Sequence, residues 1–388
     1  MFPASASNPD FLTLPLSELK AIYSRFNERT SAVFRVQAPS KDWVRKALRR
    51  QGSERCPMRL RRLSLDVILR YGDDLADLYC QFPDDLAVIY PDEYSMGSHT
   101  PVKGPLDEMQ MLTQSSEWND EWGTRWGHAY GGVGATPVAP AIPDWQQLDD
   151  YLAHRMPDPH SPSRLDRAKA LIARHGKDKY CAAFLPLSLF ERQHCLRGME
   201  NTLCDLSTNE AEVSRLLEAI CDYVIELIRE WAPTNISGFL MTDDWGSQSR
   251  LMISPGMWKK YYREHYRRII DEMHRWDKDV IFHSCGNIMR IIPELIELGV
   301  DVLDPVQPRA MNIDDVARTF GGKIAFSGGI DDQCLESNTP QQVKDEVRHA
   351  IDTLGKPYGN AYLVTIANSM TPTVPFENIQ ALFEACHA

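Results

Sequence analysis

Residues 280–308 read VIFHSCGNIMRIIPELIELGVDVLDPVQP. Val280-Ile281-Phe282-His283 is a short apolar run rich in branched residues, the mark of a strand. Met289 to Leu298 carries apolar residues at helical spacing. Val300-Asp301-Val302-Leu303 is a second strand-like run. Strand, helix and strand in this order specify two parallel strands joined by a crossover helix.

The same rhythm extends in both directions. Upstream runs are Leu86-Ala87-Val88-Ile89-Tyr90, Cys181-Ala182-Ala183-Phe184-Leu185 and Gly238-Phe239-Leu240-Met241. Downstream runs are Ile324-Ala325-Phe326 and Ala361-Tyr362-Leu363-Val364. A segment near Cys56-Pro57-Met58 supplies a candidate eighth strand. Helical patterns span 212–230, 258–276, 341–354 and 375–385. Eight such units favour an α/β fold of the (β/α)8 TIM-barrel type over an open doubly wound sheet. No GxGxxG or GxxxxGK[ST] motif supports a dinucleotide or P-loop site. Two polar helical patterns, 15–22 and 42–48, form an N-terminal extension over 1–55, and the barrel takes 56–388. Residues 92–150 break the rhythm after an early strand and read as an insertion. It holds Trp118, Trp122, Trp126 and Trp145 with Gly131-Gly132-Val133-Gly134. These tryptophans suit either the insertion's own small core or stacking on a planar ligand.

The 388 residues are long enough to bury a large core. Lys and Arg total 42 against 54 Asp and Glu, a net charge of −12. An acidic chain lacks the basic footprint of a general nucleic-acid binder. No apolar run reaches the roughly 20 residues of a membrane span. The opening MFPASASNPDF lacks the basic and apolar regions of a signal peptide. Nine cysteines without a CxxC pair suit a reducing cytoplasm better than a disulfide framework. Seven arginines and Lys46 crowd residues 45–62. They read as a solvated face or as a clamp for carboxylates or phosphates near a site entrance.

In a barrel, functional groups gather where strands end. Five consecutive predicted strands end in polar groups. They bring Glu191 and Arg192, Asp243 and Asp244 with Gln248, His283 and Cys285, Gln307, and Asp331. The side-chain period of a strand is two, so His283 and Cys285 share a face. Imidazole and thiolate on one face make half of a tetrahedral zinc site, or a structural His beside a core Cys. Asp243 and Asp244 read as an N-cap pair or as carboxylates serving as base, metal ligand or cation binder. Asp331 allows the same readings, and Gln248 and Gln307 offer amide contacts to a ligand.

Residues 283–308, FSGGIDDQ (326–333) and VPFENIQALFE (374–384) resemble the uroporphyrinogen decarboxylase superfamily. MTDDWGSQSRLMISPGMW (241–258) and PLSLFERQHCLRGMEN (186–201) resemble its methyltransferase-like branch. The resemblance implies a (β/α)8 barrel with its site at the strand C-termini. It implies a methyltransferase or demethylase acting with a corrinoid or corrinoid protein and a small-molecule methyl donor or acceptor. Zinc would be held by His283 and Cys285, with Asp244 completing the set. The catalytic group is Asp243, Asp244 and Cys285, and the substrate contacts are Gln248, Gln307, Asp331, Asn368 and Arg192. Relatives in this branch place a further Cys where this chain has Asn368. The Trp-rich insertion and the Arg45–Arg62 region are the expected docking surfaces for the corrinoid partner. Two alternatives remain: a cofactor-free decarboxylase of a small acid or tetrapyrrole, and a non-catalytic binding barrel. For the decarboxylase, Pro57-Met58-Arg59-Leu60-Arg61-Arg62 replaces the superfamily's arginine motif, and Asp84 or Asp85 stands in for its Asp. The superfamily admits a homodimer, although no apolar stripe specifies one.

Overall fold

The computed structural model describes residues 13–33, 41–60, 63–91, 114–128 and 135–387. Arg61, Arg62 and the Gly131–Gly134 stretch lie outside them. The seven predicted apolar runs are strands β1 (Leu86–Ile89), β5 (Tyr180–Leu185), β6 (Gly238–Thr242), β7 (Asp279–His283), β8 (Val302–Val306), β9 (Ala325–Ile330) and β10 (Tyr362–Ile366). They form one parallel sheet in the order β1-β5-β6-β7-β8-β9-β10. Helices follow the strands, as parallel connection requires. The long pattern after β6 divides into Pro255–Tyr261 and Arg263–Arg275. The helix after β7 begins only at Ile292, with Pro293 in its first turn, where the missing amide costs nothing.

The sheet is strongly curled. Leu86 on β1 and Leu363 on β10, from opposite ends of the strand order, share one cluster with Tyr180, Ala182, Leu240, Ile281, Val302 and Ala325. Those residues alternate along their strands and point to the concave face. The intervening residues, such as Phe239, Phe282, Leu303 and Phe326, join the larger layer beneath the helices. Between β10 and β1 lies the segment at Pro57–Arg59. Met58 bridges Val364 in parallel fashion, and its carbonyl accepts from the Asp85 amide at 2.8 Å.

The amino end of the sheet is plugged. Val44 and Leu48 of helix Lys41–Leu48 insert into the concave apolar cluster. Arg45 and Arg49 reach Asp279 at the start of β7, Arg49 at 2.6 Å, and both pair with Asp277. Arg50 donates to the Asp301 carbonyl before β8, and Arg55 grips Asp85 with two bonds of 2.6 and 2.7 Å. This corrects the expected clamp near the site entrance. Arg45, Arg49 and Arg55 neutralise carboxylates, and Arg50 binds a backbone carbonyl, all at the end opposite the strand C-termini. Asp84 and Asp85 are corrected likewise. They precede β1, and their carboxylates accept from the amides of Leu60 and Met58.

The described part of the insertion contains an antiparallel sheet of β2 (Ser116–Asn119), β3 (Arg125–His128) and β4 (Thr136–Ala139). Trp122 and Trp126 are buried, and Trp122 meets Tyr223 edge-on. Trp126 donates to Asp120, and Trp145 donates to Asp205. These three tryptophans seat the insertion against the helices that flank the parallel sheet. No helix among the described residues is long and apolar enough to cross a membrane.

Candidate metal centre

The concave apolar layer ends one step before the strands do. Two residues beyond Leu240, Ile281, Val302, Ala325 and Leu363 stand Thr242, His283, Asp304, Ser327 and Thr365. Alternation turns all five toward the same face. Register sets Thr242 beside His283, and His283 beside Asp304. An apolar floor therefore carries a polar layer at its carboxyl end.

His283 is the centre of that layer. Its Nδ1 lies 2.6 Å from Asp304 Oδ2, while Asp304 Oδ1 accepts from the Ser327 hydroxyl. Asp304 is fully buried and, when ionised, can only accept, so Nδ1 carries the hydrogen. Nε2 faces Cys285 Sγ at 3.5 Å and Asp244 Oδ1 at 3.8 Å. One ligand atom from each of Asp244, His283 and Cys285 fits within 4.8 Å of the others. Burial disfavours a charged ring, but Cys285 and Asp304 outweigh it and raise His283 well above its ordinary value.

Two loops hold Asp244 and Cys285 by backbone contact. The Cys285 amide donates to Asp244 Oδ1 at 2.8 Å, and the Gly246 amide donates to the Cys285 carbonyl. A Cβ on Gly246 would lie 2.5 Å from that carbonyl oxygen and 2.6 Å from the Asn287 nitrogen. Gly286 adopts φ +80° against the same glycine. Gln307 accepts from the Gly286 amide at 2.5 Å and so props this loop from β8.

Asp243 and Asp244 part company despite being neighbours. Asp243 is fully buried and accepts from the backbone amides of Leu189, Phe190 and Glu191, and from the Tyr266 hydroxyl. Its carboxylate caps helix Phe190–Arg197 across the strands, not the loop that follows it in sequence. Asp244 is partly exposed and turns toward His283.

The remaining expected contacts lie apart from this cluster. Gln248 is exposed and donates to the Arg309 carbonyl. Asp331 pairs with Arg309 at 2.6 Å. Asn368 is exposed and accepts from the Ser369 amide. Arg192 is buried, 3.4 Å from Asp120 and 4.4 Å over the Trp122 ring, so its guanidinium engages the insertion.

Two residues without an assigned role lie on the helix that Asp243 caps. Glu191 Oε2 accepts from Thr242 Oγ1 at 3.3 Å. Burial, then Asp244 and Asp243, push Glu191 up to about 8. Burial and Arg192 push His194 down to about 4. Asp304 had a legible signal, two residues beyond Val302 on one strand face. Glu191 stands among the polar strand-end residues of the sequence, but its contact with Thr242 has no local signal, because it comes from a helix start fastened by a distant aspartate.

The family model for uroporphyrinogen decarboxylase (URO-D) matches residues 185–388. The uroporphyrinogen decarboxylase of Pseudoalteromonas translucida (strain TAC 125) is 24% identical over 177 residues, 44% of this chain and 47% of that one. That of Legionella pneumophila (strain Lens) is 23% identical over 178 residues, 45% and 46% of the two chains. The chain spans about half the length of the curated relatives it matches. A solved methyltransferase from Methanosarcina mazei superposes with a TM-score of 0.63 at 12% identity, over 90% of this chain and 99% of that one. At that identity the likeness is one of fold.

Proposed function

The chain belongs to the uroporphyrinogen decarboxylase family, and from that premise we propose a metal-assisted methyltransferase. It moves a methyl group between a small molecule and a corrinoid or corrinoid protein. The curled sheet closes as a (β/α)8 barrel in this reading, with Pro57–Arg59 completing the circle between β10 and β1. The carrying observation is the convergence of Asp244, His283 and Cys285, with Asp304 behind the imidazole.

The donor set suits zinc. Carboxylate, imidazole and thiolate are its common ligands, and three protein ligands leave a position for substrate. The carboxylate behind the ring is the usual support of a metal-binding histidine. When bound, zinc would act as a Lewis acid that lowers the pKa of a thiol or polarises a methyl-bearing group. This chain's own residues do the positioning. Asp304 and Ser327 hold the ring so that Nε2 points at Cys285. Gly246 and Gly286 bring the Asp244 and Cys285 loops together. Asp243 anchors the helix that carries Glu191, a positioning task rather than a catalytic one.

The test is the metal content of purified protein beside Cys285→Ala and Asp244→Ala, with methyl transfer to free cob(I)alamin or from methylcobalamin to a thiol. Near-stoichiometric zinc, lost in both variants along with methyl transfer, supports the reading. A wild type that takes up no zinc after reconstitution overturns it, and release of carbon dioxide from small acids becomes the assay that follows.

A further inference from the structure

Asp244 and Cys285 lie two residues past the ends of β6 and β7, where strand pairing no longer fixes the backbone. The loops that carry them meet a third loop, the one after β8, at a single residue, Asn287. Its backbone amide donates to the Ser247 carbonyl at 2.7 Å, in the Asp244 loop. Its Nδ2 donates to the Ala310 carbonyl at 2.9 Å, in the loop after β8. Its Oδ1 accepts from the Met289 amide at 3.3 Å and closes the turn of its own loop.

The loop after β8 is built as an anchor. The amides of Ala310 and Met311 both donate to the Gln307 carbonyl, at 3.0 and 2.8 Å, which folds the segment into a tight turn. Met311 is buried beneath it. The Arg309 guanidinium pairs with Asp331 at 2.6 Å and ties the turn to the loop after β9. From this turn Gln307 takes the Gly286 amide, and the Arg309 carbonyl takes the Gln248 side chain. Asn287 joins all three loops in one residue, two positions from the Cys285 sulfur.

Resting on the reading of Asp244, His283 and Cys285 as a metal centre, we propose that Asn287 is a positioning residue for that centre. Its Nδ2 fastens the Cys285 loop to the β8 turn, and its backbone amide fastens the same loop to the Asp244 loop. The two ligands are therefore spaced before an ion arrives. Without the Nδ2 bond the Cys285 loop keeps its own turn and loses its footing on β8. Thiol and carboxylate then move independently, and binding must first order them at a cost in conformational entropy.

Asn287→Asp separates this role from a purely local one. Aspartate retains the backbone amide and the oxygen that accepts from Met289, and it lacks only the Nδ2 hydrogens. Its added negative charge attracts a cation, so weaker binding in this variant does not come from charge. Zinc and cobalt(II) are the probes, on the full chain, with Asn287→Ala alongside. Zinc affinity is expected to fall by about tenfold or more in both variants. The near-ultraviolet thiolate-to-cobalt absorption of the cobalt-loaded wild type weakens in both, while circular dichroism of metal-free Asn287→Asp matches wild type. Wild-type affinity and absorption in Asn287→Asp, with a loss confined to Asn287→Ala, assign the residue to its own turn and overturn the proposal. A wild type that binds both metals, with variants that bind them as tightly, overturns this proposal alone. A wild type that takes up neither metal overturns the metal-centre reading as well.

Discussion

His283 Nδ1 sits 2.6 Å from Asp304 Oδ2, and that bond decides which ring nitrogen the site presents. The two residues lie in register on neighbouring strands, both turned to the concave face. Asp304→Asn keeps the shape but can present an amide hydrogen where Nδ1–H needs an acceptor. The ring then loses its fixed tautomer. Zinc affinity should fall by about 10–100-fold, with circular dichroism unchanged. Competition with a coloured chelator measures it, and unaltered affinity would remove Asp304 from the site.

Adjacent aspartates should behave as opposites. Asp243→Ala strands three backbone amides and the Tyr266 hydroxyl in the interior. It should cost about 3–5 kcal/mol in urea unfolding. Asp244→Ala should cost less than about 1 kcal/mol in the metal-free protein and lose metal instead. A reversed order would refute the division of labour.

The close approach of two loops predicts a steric lesion. Gly286→Ala places a Cβ on the Gly246 backbone at a φ of +80°. It should destabilise the protein by more than about 3 kcal/mol and weaken zinc binding, since the Cys285 loop must shift. A variant with wild-type stability would mean that the loops separate freely.

At the amino end of the sheet, Arg49→Ala should cost on the order of 2–3 kcal/mol and leave zinc content untouched. Asp279 is fully buried and would keep only Arg45 and Tyr180 as side-chain partners. Impaired methyl transfer at full stability would return the basic helix to the functional surface.

His194 should make stability depend on pH. Burial and Arg192 hold its folded value near 4, against an ordinary 6.5. Between those values the unfolded chain binds a proton that the fold refuses, so stability falls as pH drops from 6.5 toward 4. The full effect is about 3 kcal/mol. Urea titrations of wild type and His194→Gln should diverge across that window and agree above pH 7. Parallel curves throughout would show that the histidine charges freely in the fold.

The sequence by itself determined the alternation of strands and helices, because a period of two or 3.6 is a local property that neighbours in the chain display. It also determined the polar strand ends and the shared face of His283 and Cys285, since strand geometry alone aligns residues two apart. Three separations of role needed the tertiary structure. Asp243 and Asp244 are indistinguishable in sequence, and only the packing of helix Phe190–Arg197 consumes one and frees the other. The arginines of residues 45–55 are a basic cluster in sequence, and only the position of Asp279 at a strand's amino end turns them into a plug. Asp304 meets His283, and Glu191 meets Thr242, through hydrogen bonds between separate elements. No periodicity encodes such a meeting, because it depends on which strand lies beside which and on where each helix begins.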